Sequence, residues 1–510
     1  MTPGAGTACR RRALLAGVLL LALALRLYRL DAWSFWIDEV ASLRYARRSL
    51  PEIWGADTMP PLYYALLHLW RLAGEGDWWL RLSSALISTG SVALVHALGR
   101  RVAGERCALW AAFFLATAPF SLYYAQELRM YALLEFGALV AMLGLAGLLQ
   151  TPERAAAPLG RPGAARRDWG LYALGALLVL YTHNTGFRLP LVATLLLPLF
   201  ARALPRPWPL LRYWALANGL VLLLWALYWP WLFDQLARVG GDFWITQPGP
   251  TELFERLAQL HLGRLEYRGL LGELAWPVCG AAVALGAWRL FRERRAWALA
   301  LAGLALLPPA LDLAIGIWRP ILLPRTLIWT AIPSVLATAV AADWLWRRAR
   351  GGGAARAAGL LLALLLAARA LAVADYYSSE AKADWRGLVA VLDAQVPAGA
   401  PIVFVPSWQA PGLRHYLTQR YGEAGRERWR LVPYRWSGAE QRFSNDAEVR
   451  GLLVEAMPRP DLWVVLGLGQ DLPPSLSALV TGLFPCAVPA ETAGLPRISL
   501  LRFDVAACSR

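Results

Sequence analysis

Long apolar runs recur along this 510-residue sequence, and they constrain its fold more than any other feature. A run of roughly 20 apolar residues can cross the hydrocarbon core of a bilayer as a helix. With 58% hydrophobic and only 17% charged residues, the composition excludes an ordinary soluble protein. The sequence therefore predicts a polytopic α-helical membrane protein of about 11 transmembrane helices. The runs lie around residues 13–30, 80–98, 107–124, 129–149, 169–183, 187–203, 212–231, 270–288, 297–315, 322–342 and 357–374.

The arginines indicate the orientation of these predicted helices. Loops rich in Lys and Arg remain on the cytoplasmic side of a membrane. The basic loops alternate, which predicts a cytoplasmic amino terminus and a multi-pass protein of the cytoplasmic (inner) membrane. The first run lacks a convincing cleavage site, so we interpret it as a retained anchor. The net charge of +16 is explained by this topology and by contact with membrane lipids, so no nucleic-acid partner is required. The basic segments are 10–12, 100–106, 154–167, 202–212, 289–295 and 347–356.

The composition changes at residue 375, where the sequence becomes polar and alternates between helix-like and strand-like segments. Such alternation is typical of a small α/β domain. We therefore predict a transmembrane domain over residues 1–374, with a first external loop over 31–79, and an extracytoplasmic α/β domain over 375–510. Cys486 and Cys508 both fall in the exported part, where an oxidising compartment permits a disulfide; their spacing leaves open whether they are bridged.

The stretch WSFWIDE, directly after the first apolar run, is the strongest candidate for a reaction centre. Asp38 and Glu39 are flanked there by Trp33, Phe35 and Trp36, and aromatic rings prefer the membrane interface. Carboxylates just outside the hydrocarbon can stay ionised and reach a lipid head group, which suits a general base. A simpler interpretation is that both acids occupy the first turn of a helix and complement its dipole.

A second polar stretch, YYAQELRMYAL, follows the third run at its predicted outer end. It carries Glu127, Arg129 and Tyr131. If the helix already includes Glu127, then Glu127, Tyr131 and Glu135 stand four residues apart and form one polar stripe. Such a stripe must face protein or water, so these residues are candidates for binding a substrate.

Four further residues on the predicted outer side are candidates for binding. Tyr63 and Tyr64 belong to PPLYY, which opens a short amphipathic segment expected to lie along the interface. His183 lies at the outer end of the fifth run, where a lone histidine is more often structural than a metal ligand. Arg325, near the outer end of the tenth run, departs from the positive-inside pattern. It either snorkels to ordinary lipid phosphates or binds one specific phosphate.

Four short motifs follow one another in an order that resembles glycosyltransferase family 39 and its relatives. They are DE, then PPLYY followed by LLHLW, then YYAQELRMYAL, and finally a late PR. These are membrane enzymes of the GT-C class and include bacterial protein mannosyltransferases and aminoarabinose transferases. The resemblance covers roughly residues 13 to 345. It implies inverting transfer of a hexose or pentose from a polyprenyl-phosphate donor to a lipid, glycan or protein acceptor on the outer face of the membrane, as in cell-envelope and lipid glycosylation. No nucleotide cofactor is implied, because the carrier lipid already holds the activated sugar.

The resemblance also implies roles for single residues. Asp38 would be the catalytic base, and Glu39 would support it by pairing with an arginine or by capping the following helix, because neighbours on a helix diverge by about 100°. Arg129 or Arg325 would stabilise the leaving phosphate. Many relatives have a histidine before the paired prolines where this chain has Met59, so no metal ligand is assigned and a divalent metal cofactor stays open. The implied substrate-binding residues are Glu127, Arg129, Tyr131, Tyr63, Tyr64, His183 and Arg325.

Two alternative functions remain open at this level. A polyprenyl-lipid transporter or flippase would more naturally show paired internal repeats with broken spans, and none is visible in the sequence. A polysaccharide ligase or polymerase would be expected to place its key residues in a large late external loop such as 232–268. The sugar, the acceptor and the oligomeric state do not follow from the sequence.

Overall fold

The structure of the protein is a computed structural model, and the chain divides into two compact units. The first, here the membrane unit, comprises Met1–Leu30 and Tyr45–Ser378; the second, here the α/β unit, comprises Asp31–Arg44 and Ser379–Arg510. The described residues are 3–55, 57–158, 165–202, 204–239, 245–262, 270–351, 354–379, 382–437, 442–443, 446–455, 461–467 and 469–504.

Helices account for nearly all regular structure in the membrane unit. Two 3₁₀ helices, Asn184–Phe187 and Pro324–Ala331, interrupt the series. One helix, α2, begins in the α/β unit and ends in the membrane unit. The α-helices up to the end of this unit are α1 (Pro3–Leu27), α2 (Ile37–Ala46), α3 (Leu50–Ile53), α4 (Leu62–Arg71), α5 (Asp77–Ala103), α6 (Glu105–Ala116), α7 (Pro119–Ala125), α8 (Tyr131–Gln150), α9 (Pro152–Ala155), α10 (Arg166–Thr182), α11 (Arg188–Ala201), α12 (Trp208–Ala226), α13 (Trp229–Val239), α14 (Pro250–Leu262), α15 (Leu270–Glu293), α16 (Arg295–Gly316), α17 (Ile332–Arg348) and α18 (Ala355–Ser378).

Each of the eleven apolar runs overlaps a helix, which confirms the predicted polytopic helical fold. Within the described residues, six helices are long and apolar enough to cross a membrane, or seven if the bent pair α6 and α7 is one span. The six are α5, α8, α12, α16, the continuous segment Pro324–Arg348 and α18. Helices α10 and α11 have only 17 and 14 residues, fewer than the roughly 20 of a straight crossing. The number of eleven crossings therefore stays a prediction.

The break between α6 and α7 has a local cause. The two helices meet at 58°, and Pro119 is the first residue of α7. Proline lacks an amide hydrogen and pushes the preceding residue out of the helical region; Ala118 is accordingly extended, with φ −75° and ψ 113°. The bend therefore lies within the third run, and the polar residues from Gln126 onward follow the end of α7.

Small residues allow the central helices of the membrane unit to pack closely. A Cβ on Gly144 of α8 would lie 2.3 Å from the Tyr172 amide nitrogen of α10, and one on Gly175 would lie 2.2 Å from that of Ala141. Glycines at such interfaces let two backbones approach, which is a main source of helix association in membranes. Helix α8 is correspondingly buried along almost its whole length.

Several buried polar groups of the membrane unit are hydrogen-bonded to one another. Arg26 donates through Nε to Ser88 Oγ at 2.9 Å and through Nη1 to the Ala116 carbonyl at 3.2 Å. Ser121 Oγ donates to Glu135 Oε2 at 2.9 Å. These side chains are all buried, and mutual pairing is what makes polar groups tolerable at such depth.

The α/β unit contains a five-stranded sheet of order β2-β1-β5-β7-β6. Strand β1 is parallel to β2 and β5, whereas β7 is antiparallel to β5 and β6. All five residues of β1 are buried, as expected for a central parallel strand covered on both faces. The elements are α19 (Trp385–Gln395), β1 (Pro401–Val405), α20 (Ala410–Tyr421), β2 (Arg430–Pro433), β3 (Trp436–Ser437), β4 (Arg442–Phe443), α21 (Asp446–Glu455), β5 (Asp461–Gly467), α22 (Pro474–Leu483), β6 (Pro489–Leu495) and β7 (Ile498–Asp504).

This sheet confirms the predicted α/β fold, and the helices and strands predicted from apolar patterns correspond to α19, β1, β5, α22 and β7. Edge strands β2 and β6 and helix α20 escaped prediction because their patterns are polar. The segment Asp31–Arg44 was assigned to the transmembrane domain from the sequence, but it belongs to the α/β unit. Cys486 is disulfide-bonded, and Cys508 lies outside the described residues.

Candidate functional site

The two adjacent acids of the first loop stand in the first turn of α2. Glu39 is fully buried, whereas Asp38 is half-buried. Glu39 Oε2 accepts a hydrogen bond from the Trp36 amide at 3.3 Å and another from Lys382 Nζ at 2.8 Å. Glu39 thus satisfies one free amide at the start of the helix, and its charge is paired with a lysine where an arginine was predicted.

The residues before α2 are held by side chains of the α/β unit. The Phe35 amide donates to Tyr416 Oη at 2.5 Å, and the Phe35 ring stacks on His415 with centroids 5.6 Å apart. Ser34 Oγ donates to Asp384 Oδ1 at 3.3 Å and accepts from the Arg386 amide at 3.1 Å. Sequence reasoning missed these partners, because they lie some 350 positions further along the chain.

In the membrane unit, the second polar stretch differs from the predicted helix. Helix α8 begins only at Tyr131, and Glu127 and Arg129 lie on the bend between α7 and α8. The predicted stripe of Glu127, Tyr131 and Glu135 was therefore wrong for Glu127, because the turn after α7 places it outside helical geometry. All four of these side chains are nevertheless buried.

Tyr131 is the centre of a cluster that contains four of the predicted binding residues. The guanidinium carbons of Arg129 and Arg325 each lie 5.9 Å from the centroid of its ring. The His183 ring lies 6.0 Å away, and the Tyr124 ring packs edge-on at 4.8 Å. A cation within about 6 Å of an aromatic face is attracted to the ring's quadrupole. The Tyr131 ring thus lies within cation–π range of both guanidinium groups.

Positive charge is concentrated around the His183 ring. Arg129 and Arg325 lie close enough to act on it electrostatically, and so does Arg188, although the charge of Arg188 is paired with Asp312. His183 is buried, and its Nδ1 accepts a hydrogen bond from the Thr185 amide at 3.1 Å. That bond fixes the ring at the junction of α10 and the following 3₁₀ helix. A cluster of guanidinium groups beside a fixed ring is an arrangement that favours an anionic ligand.

The two predicted tyrosines open α4 and are both buried. Tyr64 Oη donates a short hydrogen bond to Asp57 Oδ2, and Arg129 acts on the same phenol electrostatically. Burial, together with the Asp57 charge, raises the pKa of Tyr64 well above its usual value, so this phenol stays protonated. Tyr64 therefore connects the first loop to the cluster around Tyr131.

Asp57 is a site residue that the sequence analysis missed. It lies in the first loop shortly before the paired prolines, and Thr58 next to it accepts a hydrogen bond from Asn184 Nδ2 at 2.7 Å. Asn184 directly follows His183, so the loop is attached to the turn that holds the histidine. An isolated acid in a predicted loop gives little signal, and its tyrosine partner lies on the next helix.

No group of three or more histidine, cysteine, aspartate or glutamate side chains suited to a metal ion occurs among the residues that the structure describes. Met59 stands where many relatives of the resembled family have a histidine. The donor set that the described residues offer therefore does not fit a divalent metal bound through that position.

Comparison with known proteins identifies the fold. No protein family and no curated protein is matched by the sequence. Among solved structures, ArnT (aminoarabinose transferase) from Cupriavidus metallidurans in the apo state is 17% identical, with a TM-score of 0.60 over 98% of this chain and 99% of that chain. The same protein bound to undecaprenyl phosphate gives 15% identity and a TM-score of 0.58, covering 98% of both chains.

A second solved relative is the archaeal oligosaccharyltransferase AglB from Archaeoglobus fulgidus, in complex with an inhibitory peptide and a dolichol-phosphate. It is 14% identical, with a TM-score of 0.52 over 89% of this chain and 69% of that chain. Both neighbours are GT-C glycosyltransferases. The chain therefore has the GT-C fold of a multi-pass membrane protein, as the sequence motifs predicted.

Proposed function

We propose that this protein is a membrane glycosyltransferase that transfers a sugar from a polyprenyl-phosphate donor to a lipid, glycan or protein acceptor. The reaction would take place on the outer face of the cytoplasmic membrane, with the amino terminus in the cytoplasm and the α/β unit outside. The observation that carries the proposal is the cluster formed by the buried Arg129 and Tyr131 and the half-buried Arg325 beside His183. The shared fold with ArnT, which was solved with undecaprenyl phosphate, supports the same class of donor.

The chemistry of such a transfer matches the residues available. The bond between the anomeric carbon and the phosphate oxygen breaks, and the polyprenyl phosphate leaves with an additional negative charge. Arg325 and Arg129 would stabilise that charge by charge-assisted hydrogen bonds, for which the planar guanidinium is well shaped. Their shared contact with Tyr131 would limit the freedom of both side chains before the donor binds.

Asp38 would activate the acceptor. Its carboxylate is half-buried at the start of α2, and it would take the proton of the acceptor hydroxyl as that oxygen attacks the anomeric carbon. Attack opposite the leaving phosphate inverts the anomeric configuration. Glu39, whose charge is paired with Lys382, would not act as the base. We assign no step to a metal ion.

The decisive experiment compares Asp38→Asn with the unmodified full-length protein in lipid vesicles, with polyprenyl-phosphate-linked sugars as donors. The amide keeps the shape of the carboxylate but cannot take a proton, so transfer should fall by ~10² to 10⁴ while donor binding persists. The exposed Asp31 on the same segment gives the control Asp31→Asn, which should transfer normally. Transfer by Asp38→Asn at close to the normal rate would exclude this base. Movement of the lipid without sugar transfer would instead favour a flippase, and polymerisation of glycan chains a ligase or polymerase.

A further inference from the structure

Lys382 is unusual in both sequence and structure. Of the 51 lysine and arginine residues, it alone is a lysine. Its side chain is only 3% exposed and forms an ion pair with Glu39, which is 0% exposed, at 2.8 Å. Lysine carries a compact ammonium, whereas the guanidinium of arginine is larger and planar. All other basic side chains counted here are arginines. The one lysine pairs with Glu39, the buried carboxylate next to the proposed base Asp38.

The ion pair is part of a wider attachment of the same segment. Arg386 donates to the Asp31 carbonyl, Ser34 lies between Asp384 and the Arg386 amide, and the Phe35 amide binds Tyr416. Asp384 Oδ1 also accepts from the Gly387 amide at 3.0 Å and so caps α19. The backbone of the segment is thereby fixed to the start of α19 and to α20, both elements of the folded α/β unit.

The first turn of α2, which carries Asp38, is also held to the α/β unit through Glu39. Adjacent side chains on a helix are separated by about 100°, so the direction of Glu39 determines the direction of Asp38. The same oxygen of Glu39, Oε2, accepts hydrogen bonds from both the Trp36 amide and Lys382 Nζ. An isolated charge would be unfavourable in this buried position, so the pairing specifies a single orientation.

We infer that Lys382 is a positioning residue: through Glu39 it sets the orientation of α2, and so the α/β unit holds Asp38 in place for the reaction. This inference rests on the proposed function for the role of Asp38. It assigns to the C-terminal part of the chain a contribution to catalysis that is separate from any contact with donor or acceptor.

The kinetic test uses the full-length protein in lipid vesicles. Lys382→Met removes the charge at similar length, and the double variant Glu39→Gln/Lys382→Met removes both charges, so that no buried charge is left alone if the single variant folds poorly. Both should lower kcat by ~10²-fold, as small misplacements of reacting groups do, with the donor KM unchanged. Lys382→Arg should recover part of kcat. The exposed Arg502, which pairs with the half-buried Asp461 at 2.8 Å, supplies the control Arg502→Met, which should leave kcat unchanged.

A second measurement follows the attachment itself without activity. Because the sequence has one lysine, reductive methylation followed by peptide mass spectrometry reports on Lys382 alone, with the α-amine at the amino terminus as the reference. Lys382 should react slowly in the unmodified protein and several-fold faster in Glu39→Gln. Normal kcat in Lys382→Met and in the double variant, with Asp38→Asn inactive, would overturn the positioning role and leave the proposed function standing. If Asp38→Asn is active, the proposed function fails. Independently of activity, equal methylation of Lys382 in the unmodified protein and in Glu39→Gln would overturn the attachment of Lys382 to Glu39.

Discussion

Arg188 Nη2 lies 2.6 Å from Asp312 Oδ1, and neither side chain is exposed. Arg188 begins α11 and Asp312 lies on α16, so the pair joins two helices inside the membrane unit. Arg188 Nη1 also donates to Thr326 Oγ1 at 3.0 Å. Thr326 follows Arg325 in the chain, so the same guanidinium that pairs with Asp312 supports the 3₁₀ helix that carries one of the proposed phosphate ligands.

Removing one member of this pair should destabilise the protein strongly. Arg188→Met or Asp312→Leu leaves a buried charge without its partner, which costs about 3–5 kcal/mol. The double variant Arg188→Met/Asp312→Leu should regain much of that stability, because no uncompensated charge remains. Thermal unfolding in detergent measures both effects. Single variants as stable as the unmodified protein would show that the ion pair does not form. Sugar transfer by the double variant measures whether the transfer reaction depends on the hydrogen bond from Arg188 to the 3₁₀ helix that carries Arg325.

Arg325→Lys should lose much of the transfer activity although the positive charge is kept. Lysine cannot present the planar pair of donors that grips a phosphate, and a hydrogen bond to a charged group contributes roughly 1.5–3 kcal/mol. The expected loss is therefore on the order of tenfold to a hundredfold. The matched control is Arg319→Lys, because Arg319 lies six residues before Arg325 and is also predicted near the outer end of the tenth run. Equal activity of Arg325→Lys and the control would mean that Arg325 only contacts ordinary lipid phosphates.

Tyr64→Phe should destabilise the first loop by about 1–3 kcal/mol, because the Asp57 carboxylate loses a buried donor. The pKa of Tyr64 is raised in the folded protein. The stability that this phenol contributes to the folded protein is therefore complete below its pKa in the unfolded chain, near 10. It is lost only as the pH rises through the higher pKa of the folded protein. The difference in melting temperature between Tyr64→Phe and the unmodified protein should thus be the same at pH 7 and pH 9. A difference that disappears by pH 9 would contradict the raised pKa.

The orientation of the chain can be tested with reporter fusions. A reporter joined after Ser379 should be exported, and one joined at Gly352 should remain in the cytoplasm, because the arginine-rich loops are retained on the inner side. Alkaline phosphatase and a cytoplasmic fluorescent protein, fused in turn at both positions, give complementary signals. The reverse pattern would place the α/β unit, and with it Asp38, in the cytoplasm.

Local patterns determined much of this fold. The apolar runs set the positions of the membrane helices, because a stretch without charges can be stable in hydrocarbon only with its backbone hydrogen bonds closed as a helix. The buried strands β1 and β5 were likewise visible as short apolar runs. Arg129, Tyr131 and Arg325 could each be predicted as binding residues from motif order, since each lies at the same predicted outer side, but their meeting in one cluster is a finding of the structure.

Tertiary structure alone decided which partners these residues have. Sequence patterns report a period along one element, but they contain no information on which distant side chain fills the space opposite. Glu39 could be identified as a supporting acid, yet its partner Lys382 lies 343 positions away, and only folding of the α/β unit brings the two charges together. In the same way, the proline at the start of α7 could be read from the sequence. The bend between α6 and α7, and the separate turn after α7 that removes Glu127 from the stripe on α8, depend on how the surrounding helices pack.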